Sequence, residues 1–307
     1  MNIVVLGAGA LGAYFGARLQ EAGQNVTYLV RSIRAQQLKN NGLKIHSVKG
    51  DYTVEHLHAV ESTAEIEQAD LVLLAVKGYH LQGTFPQLKQ LVDKGAKVLP
   101  VLNGIEHFEL LQQQLGKENV IGGLSFIIAT LNEAGHVVHT SDQHNLVFGP
   151  LTPSQEPFCN QLKQITDKAN INNHLSDHIL FDLWKKYMFI TAFSGITTAG
   201  NFPIGEAVKH ASTFTIVKQA LNEMKSLANA YQIPLTDHEV TTAIEQIKDF
   251  TPESTSSMHQ DKRKGLTLEV EHLQGGAIRL AKKVNMRLPV VETLYGLIKP
   301  YENNSLS

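Results

Sequence analysis

Six residues near the N-terminus, Gly7-Ala8-Gly9-Ala10-Leu11-Gly12, have the G-x-G-x-x-G spacing of a loop that holds a dinucleotide pyrophosphate. Each glycine has its own task in that pattern. Gly7 permits a tight turn, Gly9 lets phosphate oxygens approach the backbone, and Gly12 lets the following helix lie against its strand. Free N–H groups at the start of that helix then face the anion. The next strand sets the choice of dinucleotide. A site for NAD usually carries Asp or Glu there, about 20 residues on, to bond the ribose 2′-OH. Here the stretch reads Tyr28-Leu29-Val30-Arg31-Ser32, and no acidic residue lies between Glu21 and Asp51. Arg31, with Ser32 and Arg34 beside it, suits a 2′-phosphate instead, so NADP is the expected cofactor.

Two further polar residues close apolar runs. Leu71–Val76 is followed by Lys77-Gly78, and Val98–Leu102 by Asn103-Gly104. Ligands of open α/β sheets lie outside the carboxyl ends of the strands. At such a place Lys77 can contact phosphate or ribose oxygens. Asn103 can offer a donor and an acceptor beside the cofactor and a reacting carbonyl. Either dipeptide alone also reads as ordinary turn chemistry; a shared sheet edge with the glycine loop favours a site.

These residues need a parallel sheet to carry them, and the chain supplies its pattern. Asn2–Leu6, Asn25–Val30, Asp70–Val76 and Lys97–Leu102 are short runs rich in Val, Leu and Ile, with helical candidates such as Leu11–Glu21 and Phe85–Val92 between them. That rhythm implies a Rossmann-type doubly wound α/β sheet, whose strands are buried on both faces. Val120–Ile128, Val137–His139 and Leu146–Phe148 read as added strands. Beyond His174 the apolar spacing turns helical, in Leu180–Thr191, Phe214–Tyr231, Glu239–Asp249, Leu266–Val284 and Val290–Ile298. The expected division is a cofactor-binding domain over residues 1–176 and an all-α domain over residues 177–307, with Glu302–Ser307 as a frayed tail.

Composition bounds the rest. The 307 residues suffice for two domains, and 43% hydrophobic with 18% charged residues is a globular balance. A formal net charge of −2 and 7% aromatics, without basic and aromatic interleaving, argue against nucleic acid or an anionic membrane as partner. Cys159 is the only cysteine, so no intramolecular disulfide can form. The start lacks a basic, apolar leader, and a cytoplasmic location is expected. Fourteen histidines include no H-E-x-x-H or Cys/His cluster, so no metal is expected, and no G-x-S-x-G elbow suggests a hydrolase.

The chain resembles the ketopantoate reductases (2-dehydropantoate 2-reductases) over nearly its whole length. The resemblance rests on I-V-V-L-G-A-G-A-L-G, A-V-K-G, L-N-G, Trp184-Lys185-Lys186, and Ser256-Ser257-Met258-His259-Gln260-Asp261 followed by Leu268-Glu269. It implies NADPH-dependent reduction of a 2-oxo acid carbonyl, with a helical C-terminal domain. It further implies Lys186 as the catalytic lysine, Glu269 as the family's glutamate, Ser257 as the substrate-holding serine, and Asn103 and Lys77 as its asparagine and lysine. The chemistry is coherent. Hydride delivery to a ketone develops an alkoxide, which an ammonium can stabilise and protonate, and burial lowers a lysine toward neutrality. A carboxylate such as Glu269 would oppose that lowering. Typical members carry asparagines four and eight residues beyond the lysine, where this chain has Ile190 and Ser194. Losing an amide partner for a substrate hydroxyl should change discrimination among 2-oxo acids.

Three functions fit these residues. The first is reduction of 2-dehydropantoate to D-pantoate in pantothenate biosynthesis. The second is a D-2-hydroxyacid dehydrogenase acting on another branched 2-oxo acid, and the third is a non-enzymatic NADP sensor. The expected partner is a small-molecule 2-oxo acid. A homodimer is compatible with the sequence, although no heptad or apolar face singles out an interface.

Overall fold

The computed structural model describes residues 1–303, which form two compact units. Met1–Leu102 and His107–Ile179 make the first. Asn103–Glu106 and the chain from Leu180 onward make the second. The first unit holds a five-stranded sheet of β1 (Asn2–Leu6), β2 (Asn25–Leu29), β5 (His58–Val60), β6 (Leu71–Leu74) and β7 (Lys97–Pro100), in the order β5-β2-β1-β6-β7. All its pairings are parallel. The central strand β1 is apolar throughout its buried part, Ile3 to Leu6, as a strand covered on both faces must be. Helices α1 (Ala10–Glu21), α2 (Ser32–Asn41) and α3 (Phe85–Asp93) join successive strands. The chain runs from β1 to β2 and β5 on one side, then returns to β6 and β7 on the other. That reversal beside β1 is the topological switch point at which such sheets bind ligands.

A second sheet in this unit contains β3 (Lys44–Ser47), β4 (Tyr52–Thr53), β8 (Gly122–Leu131), β9 (Val137–Gly149) and β10 (Asn172–Leu175). Helices α4 (Glu106–Leu115) and α5 (Glu156–Thr166) are the remaining α-helices up to residue 175. The sequence suggests two strands at Val137–His139 and Leu146–Phe148, whereas β9 is a single strand of 13 residues. Its polar centre hides it from an apolar pattern, and the pairing with β8 jumps there from Ile127–His144 to Ala129–His139.

The polar centre is satisfied inside the fold. Tyr14 Oη bonds His144 Nδ1 at 2.8 Å, and Ser47 Oγ bonds His139 Nδ1 at 2.8 Å. The two imidazoles stack 5.8 Å apart, and the buried Arg18 guanidinium lies 5.2 Å above the Tyr14 ring. Burial first, then neighbouring cations including Arg18, hold both histidines below their ordinary pKa, although the Gln143 carbonyl raises His139 somewhat. Both are therefore neutral in the native state. Their contribution to stability is full above the unfolded histidine value of about 6.5 and is lost as pH falls through the lower folded values. We expect the Tm to drop by a few degrees between about pH 7 and about pH 5. The drop should be smaller in the His139→Gln/His144→Gln variant, and an equal drop would remove these two residues as its cause.

The second unit is helical: α6 (Ile179–Gly200), α7 (Ile204–Lys209), α8 (Ala211–Ala230), α9 (Asp237–Asp249), α10 (Ser257–Arg263), α11 (Gln274–Lys283) and α12 (Pro289–Ile298). Helix α6 continues past Thr191, where the sequence periodicity fades, because residues 191–198 are buried all round and show no polar face. The helix expected over Leu266–Val284 is shorter. Gly265 at φ +66 ends the segment begun by α10, residues 266–269 are irregular, residues 270–273 form a turn, and α11 starts only at Gln274. At the C-terminus, the Glu302 carbonyl accepts a bond from Leu268 N, and its carboxylate pairs with Lys299 at 2.6 Å. Glu302 is thus tied down, and the remainder of the expected tail, residues 304–307, lies outside the described residues. Among the described residues no helix is long and apolar enough to cross a membrane.

Candidate active site

In the first unit, β1 leads into Gly7 at φ +99. A Cβ there would stand 2.8 Å from Val76 Cγ1 and 2.9 Å from the Ala75 carbonyl, so the loop presses directly on the end of β6. A Cβ on Gly12 would come within 2.1 Å of the Gly7 carbonyl oxygen, which explains how α1 can start so close to the turn. Gly9 is different. Its φ of −70° suits any residue, and its Cβ would meet nothing within 4 Å. Here glycine keeps a space open rather than relieving a clash. Gly9 also begins α1 without a side-chain cap and without an acidic residue in the first turn, so the helix-start N–H groups remain available to an anion. This open cradle fits a dinucleotide pyrophosphate over Gly7, Ala8, Gly9, Ala10, Leu11 and Gly12.

Arg31 precedes α2 and is exposed; its carbonyl accepts from Ala35 N at 2.9 Å, while its guanidinium makes no hydrogen bond among the described residues. His80 is held below its ordinary value by burial first and then by the Arg31 charge. The Arg31 charge therefore reaches the turn Lys77–His80, which follows the Ala75–Val76 pair packed against Gly7. Lys77 is half-buried at the head of that turn. Arg34 has a structural task that its sequence position does not suggest. Its Nε donates to the Ala8 carbonyl and its Nη1 to the Gly135 carbonyl, each at 2.9 Å, so it pins the glycine loop to the turn between β8 and β9.

In the second unit, α6 carries Lys186, which is 7% exposed, while Glu269 is 4% exposed. Burial pushes the lysine down to about 8, and the Glu269 charge acts in the opposite direction. The structure thus brings these two together. Glu269 is not on a helix face; it lies in the turn before α11, where its carbonyl accepts bonds from His272 N and Leu273 N at 3.0 Å. The residue next to the lysine, Tyr187, fastens α6 to the same turn by donating to the Leu273 carbonyl at 2.6 Å.

Asn103 belongs by its contacts to this second unit. It is half-buried, and its amide makes no hydrogen bond among the described residues. The next residue, Gly104, has φ +89, and a Cβ there would stand 2.7 Å from the His272 carbonyl oxygen. Ser257 opens α10 with an exposed side chain. Its neighbour Ser256 does the structural work: Ser256 Oγ accepts from His259 N at 3.1 Å and from Thr197 Oγ1 at 3.0 Å. Lys262 Nζ adds a bond to the Thr198 carbonyl at 2.9 Å. Ser257 is thereby tied to the distal part of α6, about 16 Å along the axis from Lys186. Ile190 and Ser194 follow Lys186 at helical spacing, flanked by the stacked rings of Phe189 and Phe193, 5.7 Å apart, with Phe250 5.2 Å from Phe193. Sequence reasoning missed Thr197, Ser256 as a cap, Arg34 as a loop pin, and the pairing of Arg279 with Glu106 at 2.7 Å. Their contacts are long-range, and only the S-S pair hinted at a cap. No cluster of metal-ligating side chains occurs among the described residues.

Comparison with known proteins identifies the family. The family described as ketopantoate reductase PanE/ApbA matches residues 3–153, and its C-terminal counterpart matches residues 178–302. An uncharacterized oxidoreductase, YkpB of Bacillus subtilis (strain 168), is 34% identical over 98% of this chain and 99% of its own. The crystal structure of 2-dehydropantoate 2-reductase from Geobacter metallireducens GS-15 superposes with a TM-score of 0.89 at 26% identity, covering 98% of this chain and 99% of that one. A complex of D-mandelate dehydrogenase with NADH gives 0.87 at 25% identity, covering 99% of both.

Proposed function

The chain belongs to the ketopantoate reductase family of NAD(P)H-dependent oxidoreductases, and we propose that it reduces 2-dehydropantoate to D-pantoate with NADPH, as a cytoplasmic step of pantothenate biosynthesis. The observation that carries the reading is a lysine buried within one unit, lowered to about 8, beside a buried carboxylate. The glycine loop Gly7–Gly12 would hold the pyrophosphate, Arg31 and Lys77 the ribose phosphate, and Asn103 the nicotinamide end. When bound, the reduced nicotinamide supplies a hydride to the 2-oxo carbon. Lys186 Nζ stabilises the developing alkoxide and gives it a proton. With a pKa of about 8 the lysine is mostly protonated at neutral pH, yet releases its proton far more readily than an exposed lysine. Glu269 keeps that value from falling further and orients the ammonium. Asn103 and Ser257 offer neutral donors to the substrate carbonyl and carboxylate.

A second reading is favoured by one observation. Ile190, with Phe189 and Phe193, replaces polar surface beside Lys186 by apolar surface. An apolar wall supplies no partner for the hydroxyl of 2-dehydropantoate and suits another branched 2-oxo acid.

Cofactor choice tests the Arg31 assignment. The kcat/KM ratio of NADPH to NADH should exceed about tenfold in the wild type, since a charge-assisted contact is worth roughly 1.5–3 kcal/mol. In Arg31→Asp the preference should move toward NADH. An unchanged ratio in that variant would remove Arg31 from the site.

A further inference from the structure

Arg279, on α11, turns all three guanidinium nitrogens to two segments that carry proposed site residues, with its side chain 45% exposed. Its Nε donates to both Glu106 carboxylate oxygens at 3.2 Å, and its Nη2 reaches Glu106 Oε2 at 2.7 Å. Nη1 donates to Glu271 Oε2 at 2.9 Å, and Nη2 also donates to the Glu271 carbonyl at 2.6 Å. Glu106 ends the Asn103–Glu106 segment, three residues after Asn103. Glu271 lies in the turn that begins at Glu269, two residues earlier. The rest of the surroundings leaves little play. Glu271 is also held by Tyr295 Oη at 2.5 Å and by Lys299. A Cβ on Gly276 would meet Glu106 Oε2 at 2.9 Å and Tyr187 Oη at 3.0 Å, and one on Gly104 would strike the His272 carbonyl. Two glycines thus let the segments approach, and one planar fork locks them.

We propose that Arg279 is a positioning residue for the reductase reaction: through Glu106 and Glu271 it fixes Asn103 relative to Glu269, and so relative to Lys186. The inference rests on the reading of those three residues as the reacting site. Arginine is required by the geometry, because a lysine ammonium cannot serve two carboxylates and a carbonyl in one plane. A displacement of about 1 Å in a reacting site can cost about a hundredfold in rate.

The experiment compares Arg279→Ala, Arg279→Lys and the milder Glu106→Gln with Asn103→Ala and Glu269→Gln, assayed with 2-oxo acids and titrated with NADPH by fluorescence. Arg279→Ala should lose about 10- to 100-fold in kcat, with NADPH affinity within about twofold of wild type. Arg279→Lys should not recover the activity, whereas added guanidinium at millimolar concentration should recover part of it in Arg279→Ala. Glu106→Gln should lose less, and nothing further in combination with Arg279→Ala. Wild-type kcat in Arg279→Ala, or full recovery by lysine, overturns the positioning role while Asn103→Ala and Glu269→Gln remain impaired. Wild-type activity in those two variants instead overturns the site itself and the proposal with it.

Discussion

Lys186→Ala is expected to lower kcat by about 10²- to 10⁴-fold, the usual contribution of a positioned proton donor, while NADPH still binds to the separate glycine-loop unit. The loss follows from chemistry rather than from packing. Replacement by Met preserves much of the buried volume and should be as inactive, with thermal unfolding measured alongside to establish that the variant is folded. The pH profile gives a second, independent signature. The protonated amine is the active form, and burial sets its value at about 8. Activity in wild type should therefore be flat on the acid side of about 8 and fall on the alkaline side. Glu269 raises the lysine, so Glu269→Gln should move the descending limb to lower pH. A Lys186→Ala enzyme with full activity would exclude the residue as proton donor.

Gly9→Val is expected to leave the fold intact and to weaken NADPH binding by about a hundredfold or more, roughly 2.7 kcal/mol. The position accepts a side chain as far as the protein is concerned, with φ −70° and no atom within 4 Å of the new Cβ. Only a ligand would object. Gly12→Ala is the contrasting case, because its Cβ would lie 2.1 Å from a backbone oxygen that cannot retreat without opening the turn. That variant should lose stability as well as binding. Isothermal titration with NADPH and thermal unfolding separate the two outcomes. Wild-type NADPH affinity in Gly9→Val would contradict the cradle.

Much of this site can be read from the sequence, for physical reasons that differ by residue. The glycine loop is legible because tight turns and close approaches force glycine at fixed spacing, and β1 is legible because a central parallel strand must be apolar along its length. Lys186 and Glu269 stand out only by resemblance, since a lone Lys or Glu is ordinarily a surface charge. Their burial is a tertiary property that no local pattern encodes. Arg34 shows the limit in the other direction. Its sequence position suggests phosphate binding, and its Nη2 has no hydrogen-bond partner among the described residues, yet its Nε and Nη1 close on Ala8 and Gly135, and Gly135 lies about 100 residues away along the chain. Arg279 could not be singled out at all, because its meaning depends on Glu106, 173 positions away. The passage of Asn103–Glu106 into the second unit is likewise invisible to a single cut between domains.

A sensor and an enzyme would both bind NADPH, and only the enzyme needs Lys186 poised near 8. The most direct measurement is NADPH oxidation by the wild-type protein at neutral pH with 2-dehydropantoate and with 3-methyl-2-oxobutanoate, its analogue without the hydroxymethyl group, with the 2-hydroxy acid product quantified. Reduction of at least one of the two, with one 2-hydroxy acid formed for each NADPH consumed, is the predicted result. Tight NADPH binding with neither acid reduced would contradict it.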